Sequence, residues 1–73
     1  MQDWKKVFSS TQLATASMVM GMLNENGIAA KLLNKQDSSF VFLGKVEVYV
    51  QVTQYDFALQ IINDLNLTSI EPD

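Results

Sequence analysis

The chain has no cysteine, no histidine and no arginine, and only one proline and three glycines among its 73 residues. Without cysteine or histidine there is no disulfide framework, no thiolate or imidazole metal site, no Ser-His or Cys-His nucleophile pair and no imidazole base. Positive charge is scarce as well. Five lysines stand against eight carboxylates, for a formal charge of -3. That balance disfavours nucleic acid and anionic membranes, which are bound chiefly through cations. No apolar run approaches the roughly 18 residues of a membrane span, and the start of the chain turns polar too soon for a signal peptide. The expectation is therefore one small cytoplasmic domain, residues 1–73, with no cofactor and no enzymatic activity.

Hydrophobic residues make up 48% of the chain, and their spacing is informative. Residues 4–9 alternate with period two, with Trp4, Lys6 and Phe8 on one side and Lys5, Val7 and Ser9 on the other, which predicts a strand. Ser9, Ser10 and Thr11 offer hydroxyls to cap a helix predicted from about Thr11 to Glu25. On that helix Leu13, Ala16, Val19, Met20 and Leu23 form one stripe. Gly27 follows Asn24, Glu25 and Asn26 as the C-terminal stop. A second strand over residues 28–33 points Ile28, Ala30 and Leu32 inward. The third is the clearest, with Val46, Val48, Val50 and Val52 alternating with Glu47, Tyr49 and Gln51, as in a strand covered on one face. A second helix opens at Thr53, carries Asp56 in its first turn and lines Ala58, Ile61, Ile62 and Leu65 on one side.

This order, βαββα, with residues 67–70 left open as a fourth edge strand, predicts an α+β, ferredoxin-like fold: an antiparallel sheet with two helices on one face and an ordered core over about 4–66. Below about 70–80 residues a core is marginal, and dimerisation is a usual remedy.

Three stretches carry a family resemblance. They are Lys6 to Ser10, Val19 to Ile28, and Val46 to Val50 followed by Tyr55, Asp56, Phe57 and Ala58. Together they resemble the small bacterial domains described as putative prokaryotic signal transducing proteins, a group related to nitrogen-regulatory PII proteins. The resemblance implies a ferredoxin-like fold and a signalling role, and it brings no catalytic residue. It also implies, for PII proteins themselves, a nucleotide site built on glycine-rich loops with basic side chains. Here Gly44 beside Lys45 is the nearest approach, and it matches no phosphate-cradling motif.

Three surfaces are candidates for function. The open sheet face is expected to carry Phe8 and Tyr49 side by side on adjacent strands, with Lys6, Lys31, Leu33, Glu47 and Gln51 around them. RNA-recognition folds stack bases on such aromatics, but the charge argues for a protein contact or a sheet-to-sheet dimer instead. The outer side of the first helix presents Ala14, Met18, Gly21 and Met22 where a solvent face would carry Lys and Glu. A mid-helix glycine costs about 1 kcal/mol relative to alanine, and methionine suits adaptable contacts. The third is the apolar run Phe40, Val41, Phe42 and Leu43, either a partner-contacting loop or a backward extension of the third strand. Glu47, Tyr49 and Lys31 are read as a cross-strand ion pair rather than acid-base machinery, and Asp56 and Asp64 as helix-surface acids.

The functional expectation is a non-catalytic regulatory or interaction module whose partner is another protein or a second copy, as homodimer or higher oligomer. The alternatives are a PII-like small-ligand sensor, or a small enzyme with its site at an oligomer interface.

Overall fold

The computed structural model describes residues 3–35 and 45–65. Within them the order is β1 (Trp4–Ser10), α1 (Leu13–Glu25), β2 (Ala30–Asn34), β3 (Val46–Gln51) and α2 (Tyr55–Asp64), with one 3-10 turn, Val52–Gln54, leading into α2. The strands form one sheet in the order β1-β3-β2, and both pairings are antiparallel. The fold is α+β. The suggested strand over 67–70 and the run from Phe40 to Leu43, including Phe40 and Phe42, lie outside the described residues.

The valine alternation of β3 organises the core. Val46, Val48 and Val50 are fully buried, and one cluster joins them to Ala16, Val19 and Leu23 of α1, to Ile28, and to Ala58, Ile61 and Ile62 of α2. Both helices thus cover one sheet face, and each large aliphatic side chain so buried contributes about 1.5–3 kcal/mol. Ala30 and Leu32 pair with Val50 and Val48 and pack on the same cluster, as their spacing predicts. Val52, expected inward, leaves the sheet in the 3-10 turn and is exposed.

The end of α1 is specified locally. Gly27 takes φ +83°, its N–H bonds Asn24 O at 3.0 Å, and Ile28 N–H bonds Leu23 O at 3.0 Å. This is the Schellman arrangement, completed by two buried apolar side chains, Leu23 and Ile28. Asn24 Oδ1 then accepts the Ala30 amide at 3.1 Å, so the same turn sets where β2 begins.

The helix starts differ from expectation. α1 begins at Leu13 behind an extended Gln12, with no side-chain cap. Instead of capping the helix, the buried Ser10 accepts the Gln12 amide on Oγ at 3.0 Å and holds the strand-to-helix turn. Leu13 sits on the flank of the stripe in the first turn and is exposed rather than buried. Gln54, not Thr53, precedes α2, again without a side-chain cap.

Candidate functional site

The open face of the sheet is reshaped by an irregularity in β1. Trp4, Lys5 and Lys6 pair with Gln51, Val50 and Tyr49, but the next pairing is Phe8 with Val48, so Val7 is an extra residue in a β-bulge. The bulge reverses the alternation beyond it. Trp4 and Lys6 stay on the open face, whereas Phe8 joins Val48 on the covered face, where it packs with Val7 against the core. The expected Phe8–Tyr49 pair is therefore not formed. Its place is taken by Trp4, one pair further along.

Around Tyr49 the face is ordered by a single carboxylate. Glu47 pairs with Ser9 on one side and Leu33 on the other, and only 6% of it is exposed. The Tyr49 hydroxyl donates to Glu47 Oε1 at 2.8 Å. Lys35 Nζ approaches the same oxygen at 3.4 Å, and Lys6 Nζ approaches Oε2 at 3.4 Å. Lys35 follows β2 directly and is held there by its amide, which bonds Lys45 O at 3.0 Å. Burial pushes the Glu47 carboxyl up, but the Tyr49 hydroxyl and the two ammonium groups more than offset it and hold it below its ordinary value. Tyr49 is raised from its own ordinary value, first by the bond it donates to Glu47, then by burial and by the Glu47 charge. At neutral pH the pair is a carboxylate and a protonated phenol.

The expected trio of Glu47, Tyr49 and Lys31 is thus only partly formed. Glu47 does make a cross-strand ion pair, but with Lys6. Lys31 lies opposite Tyr49 and reaches across β3 to Trp4, its ammonium 4.3 Å from the ring centroid. Beside this contact lies a cavity of about 280 Å³ lined by Trp4, Lys31, Leu32, Leu33 and Tyr49. Leu33 is 46% exposed, an apolar side chain standing free on this face. On the covered side, Lys5 places its ammonium 4.1 Å from the Tyr55 ring centroid at the foot of α2.

Two of the predicted surface residues, Tyr49 and Leu33, therefore meet at one site, and Phe8 does not join them. Met18 and Met22 lie on α1, in the other layer of the molecule. Met18 is 47% exposed and Met22 half-buried. A methyl group placed on Gly21 would meet nothing within 4 Å. Close packing within the described residues does not account for that glycine. Sequence reasoning passed over Trp4. Its signal was its alternation with Lys6, which places both on the face away from the valines.

The family model described as "Putative prokaryotic signal transducing protein" matches residues 4–66, and the chain belongs to that family. No curated protein and no solved structure matches it.

Proposed function

We propose that this member of the signal-transducing family is a non-catalytic regulatory module that works by docking a protein on the open face of its sheet. The observation that carries the reading is the Trp4, Leu33 and Tyr49 surface around the cavity, flanked by lysines already fixed in place by Glu47 and Trp4. Large, pre-positioned aromatic groups with an exposed aliphatic neighbour are the usual anchors of interfaces. The family description supports a signalling role. Among the described residues, the order βαββα with β1-β3-β2 supports the ferredoxin-like plan, matching three of its four strands.

Chemistry at the site favours binding over turnover. A general acid or base works best with a pKa near the operating pH, whereas Glu47 is shifted down and Tyr49 up, each away from neutrality. Both groups are occupied in holding one another and the two lysines.

The test is in-cell photocrosslinking from position 33, with position 63 on the exposed side of α2 as reference. A discrete protein adduct from 33 and none from 63 is expected. Equal or absent adducts at both overturn the reading.

The cavity favours one second reading, a small-ligand sensor, because about 280 Å³ lies just under the roughly 300–1,000 Å³ of ligand pockets. A saturable rise in melting temperature with ATP, ADP, cyclic nucleotides or aromatic acids would favour that reading over the first.

A further inference from the structure

Charge in this molecule is sorted by layer. All five lysines lie on strands or at strand ends: Lys5 and Lys6 in β1, Lys31 in β2, and Lys35 and Lys45 flanking the β2–β3 connection. The helices hold none. Their only charged residues are acidic: Glu25 in α1, and Asp56 and Asp64 in α2. Among the described residues, the net negative chain thus presents a sheet face on which Lys6, Lys31 and Lys35 outnumber the one carboxylate, Glu47.

From this we infer that the open face binds an extended acidic peptide with the pattern acidic-x-apolar-x-acidic, laid along β2. The inference rests on the protein-docking reading above and specifies its partner. Lys31, Leu33 and Lys35 are two residues apart and share the open face, since Lys31 opposes Tyr49, Leu33 opposes Glu47, and Lys35 reaches Glu47 from beyond the strand end. Four residues of strand span roughly 13 Å, so a peptide extended alongside meets the same period. Its two carboxylates fall at Lys31 and Lys35, and its central apolar side chain falls at Leu33 and the cavity.

The lysines are able to serve it while keeping their present contacts. The side chains of Lys6 and Lys35 are 51% and 53% exposed and each approaches Glu47 at 3.4 Å. An ammonium has three donors, so donors remain for an incoming carboxylate. Lys31 sits at the cavity wall with its charge on the Trp4 ring. A second copy docked sheet to sheet would instead set Lys6, Lys31 and Lys35 against the same three lysines, a like-charge juxtaposition that costs association. Single-stranded RNA stacks its bases on aromatic faces, and Lys31 already covers Trp4.

The chain contains one tryptophan, and it lies at this site, so its fluorescence reports occupancy directly. A peptide bearing Glu-Thr-Phe-Thr-Glu is titrated against the intact chain, beside the same peptide with Lys for Glu and with Ala for Phe. The expected result is a saturable change with the acidic peptide only, weakened by salt. Lys31→Glu and Lys35→Gln should each weaken it about ten-fold, measured below each variant's melting transition with the circular dichroism of the folded chain retained, since Lys35→Gln also removes a partner of Glu47. No saturable change, an equal response to the lysine peptide, or binding indifferent to Lys31→Glu overturns the inference. A concentration-dependent change without peptide overturns it in favour of a second copy, and tighter binding of oligo(U) in favour of RNA. Crosslinking from position 33 that persists beside a negative titration preserves the docking reading and rejects the acidic partner.

Discussion

The Tyr49 hydroxyl donates a 2.8 Å hydrogen bond to Glu47 Oε1, two residues along the same strand and on the same face of the sheet. The bond fixes the tyrosine ring against the cavity and supplies one of three partners to a carboxylate that is almost wholly buried. Tyr49→Phe keeps the ring and removes the donor. A hydrogen bond to a charged group contributes about 1.5–3 kcal/mol, and 1 kcal/mol moves the melting point of a domain this size by about 4–8 °C. Thermal unfolding should therefore show a drop of several degrees, and an unchanged midpoint would mean that the lysines alone support Glu47.

The same carboxylate should make stability depend on acid. Its pKa in the fold lies below the ordinary value near 4.5, so folding favours the ionised form. That contribution is fully present above the unfolded value and is lost as pH falls through the folded one. Unfolding followed from neutral pH down through the region below 4.5 should show wild type losing this contribution and Glu47→Gln lacking it from the start. The two stability curves are expected to converge towards the acid limb. Parallel curves would show that Glu47 is not a source of the acid sensitivity. In Glu47→Gln the Tyr49 phenol should titrate closer to its ordinary value, read by ultraviolet absorbance, because its acceptor charge is gone.

Two glycines of α1 and its cap should respond in opposite directions. Gly27 holds φ +83° in the Schellman turn, and an L side chain in that region costs about 1–2 kcal/mol, so Gly27→Ala destabilises. Gly21 lies mid-helix with open space where a Cβ would stand, so Gly21→Ala should stabilise by up to about 1 kcal/mol. Urea denaturation of both variants decides this. A destabilised Gly21→Ala would point to a close neighbour of that helix face.

Most of the architecture was legible because it rests on strong local signals. The three- and four-residue spacing of apolar positions in α1, the β3 valines and Gly27 each produced the element they predicted, and the core is where their apolar faces meet. The start of α1 was misread because Ser10 Oγ accepts the Gln12 amide in the turn before the helix instead of capping it. Half of the candidate site was legible too, since Tyr49 and Leu33 follow simple alternation. Neither the burial of Glu47 nor the reach of Lys31 to Trp4 could be read from spacing, because both depend on which strands lie side by side and in what register.

Phe8 offers the sharpest test of that register. Alternation counted from Trp4 places it on the open face beside Tyr49, where Phe8→Ser would alter surface contacts and leave the fold nearly untouched. The bulge at Val7 places it instead opposite Val48 and against the core. Replacing a large aromatic there removes apolar burial and introduces a hydroxyl, so a loss on the order of 2–3 kcal/mol is expected, less than a fully buried Phe→Ala because Phe8 is half-buried. Tyr49→Ser serves as the paired control, since it should abolish the Trp4 fluorescence response to an acidic peptide. Phe8→Ser, measured under conditions where it remains folded, should retain that response. A stable Phe8→Ser that loses peptide binding would restore the uninterrupted strand and move Phe8 to the open face.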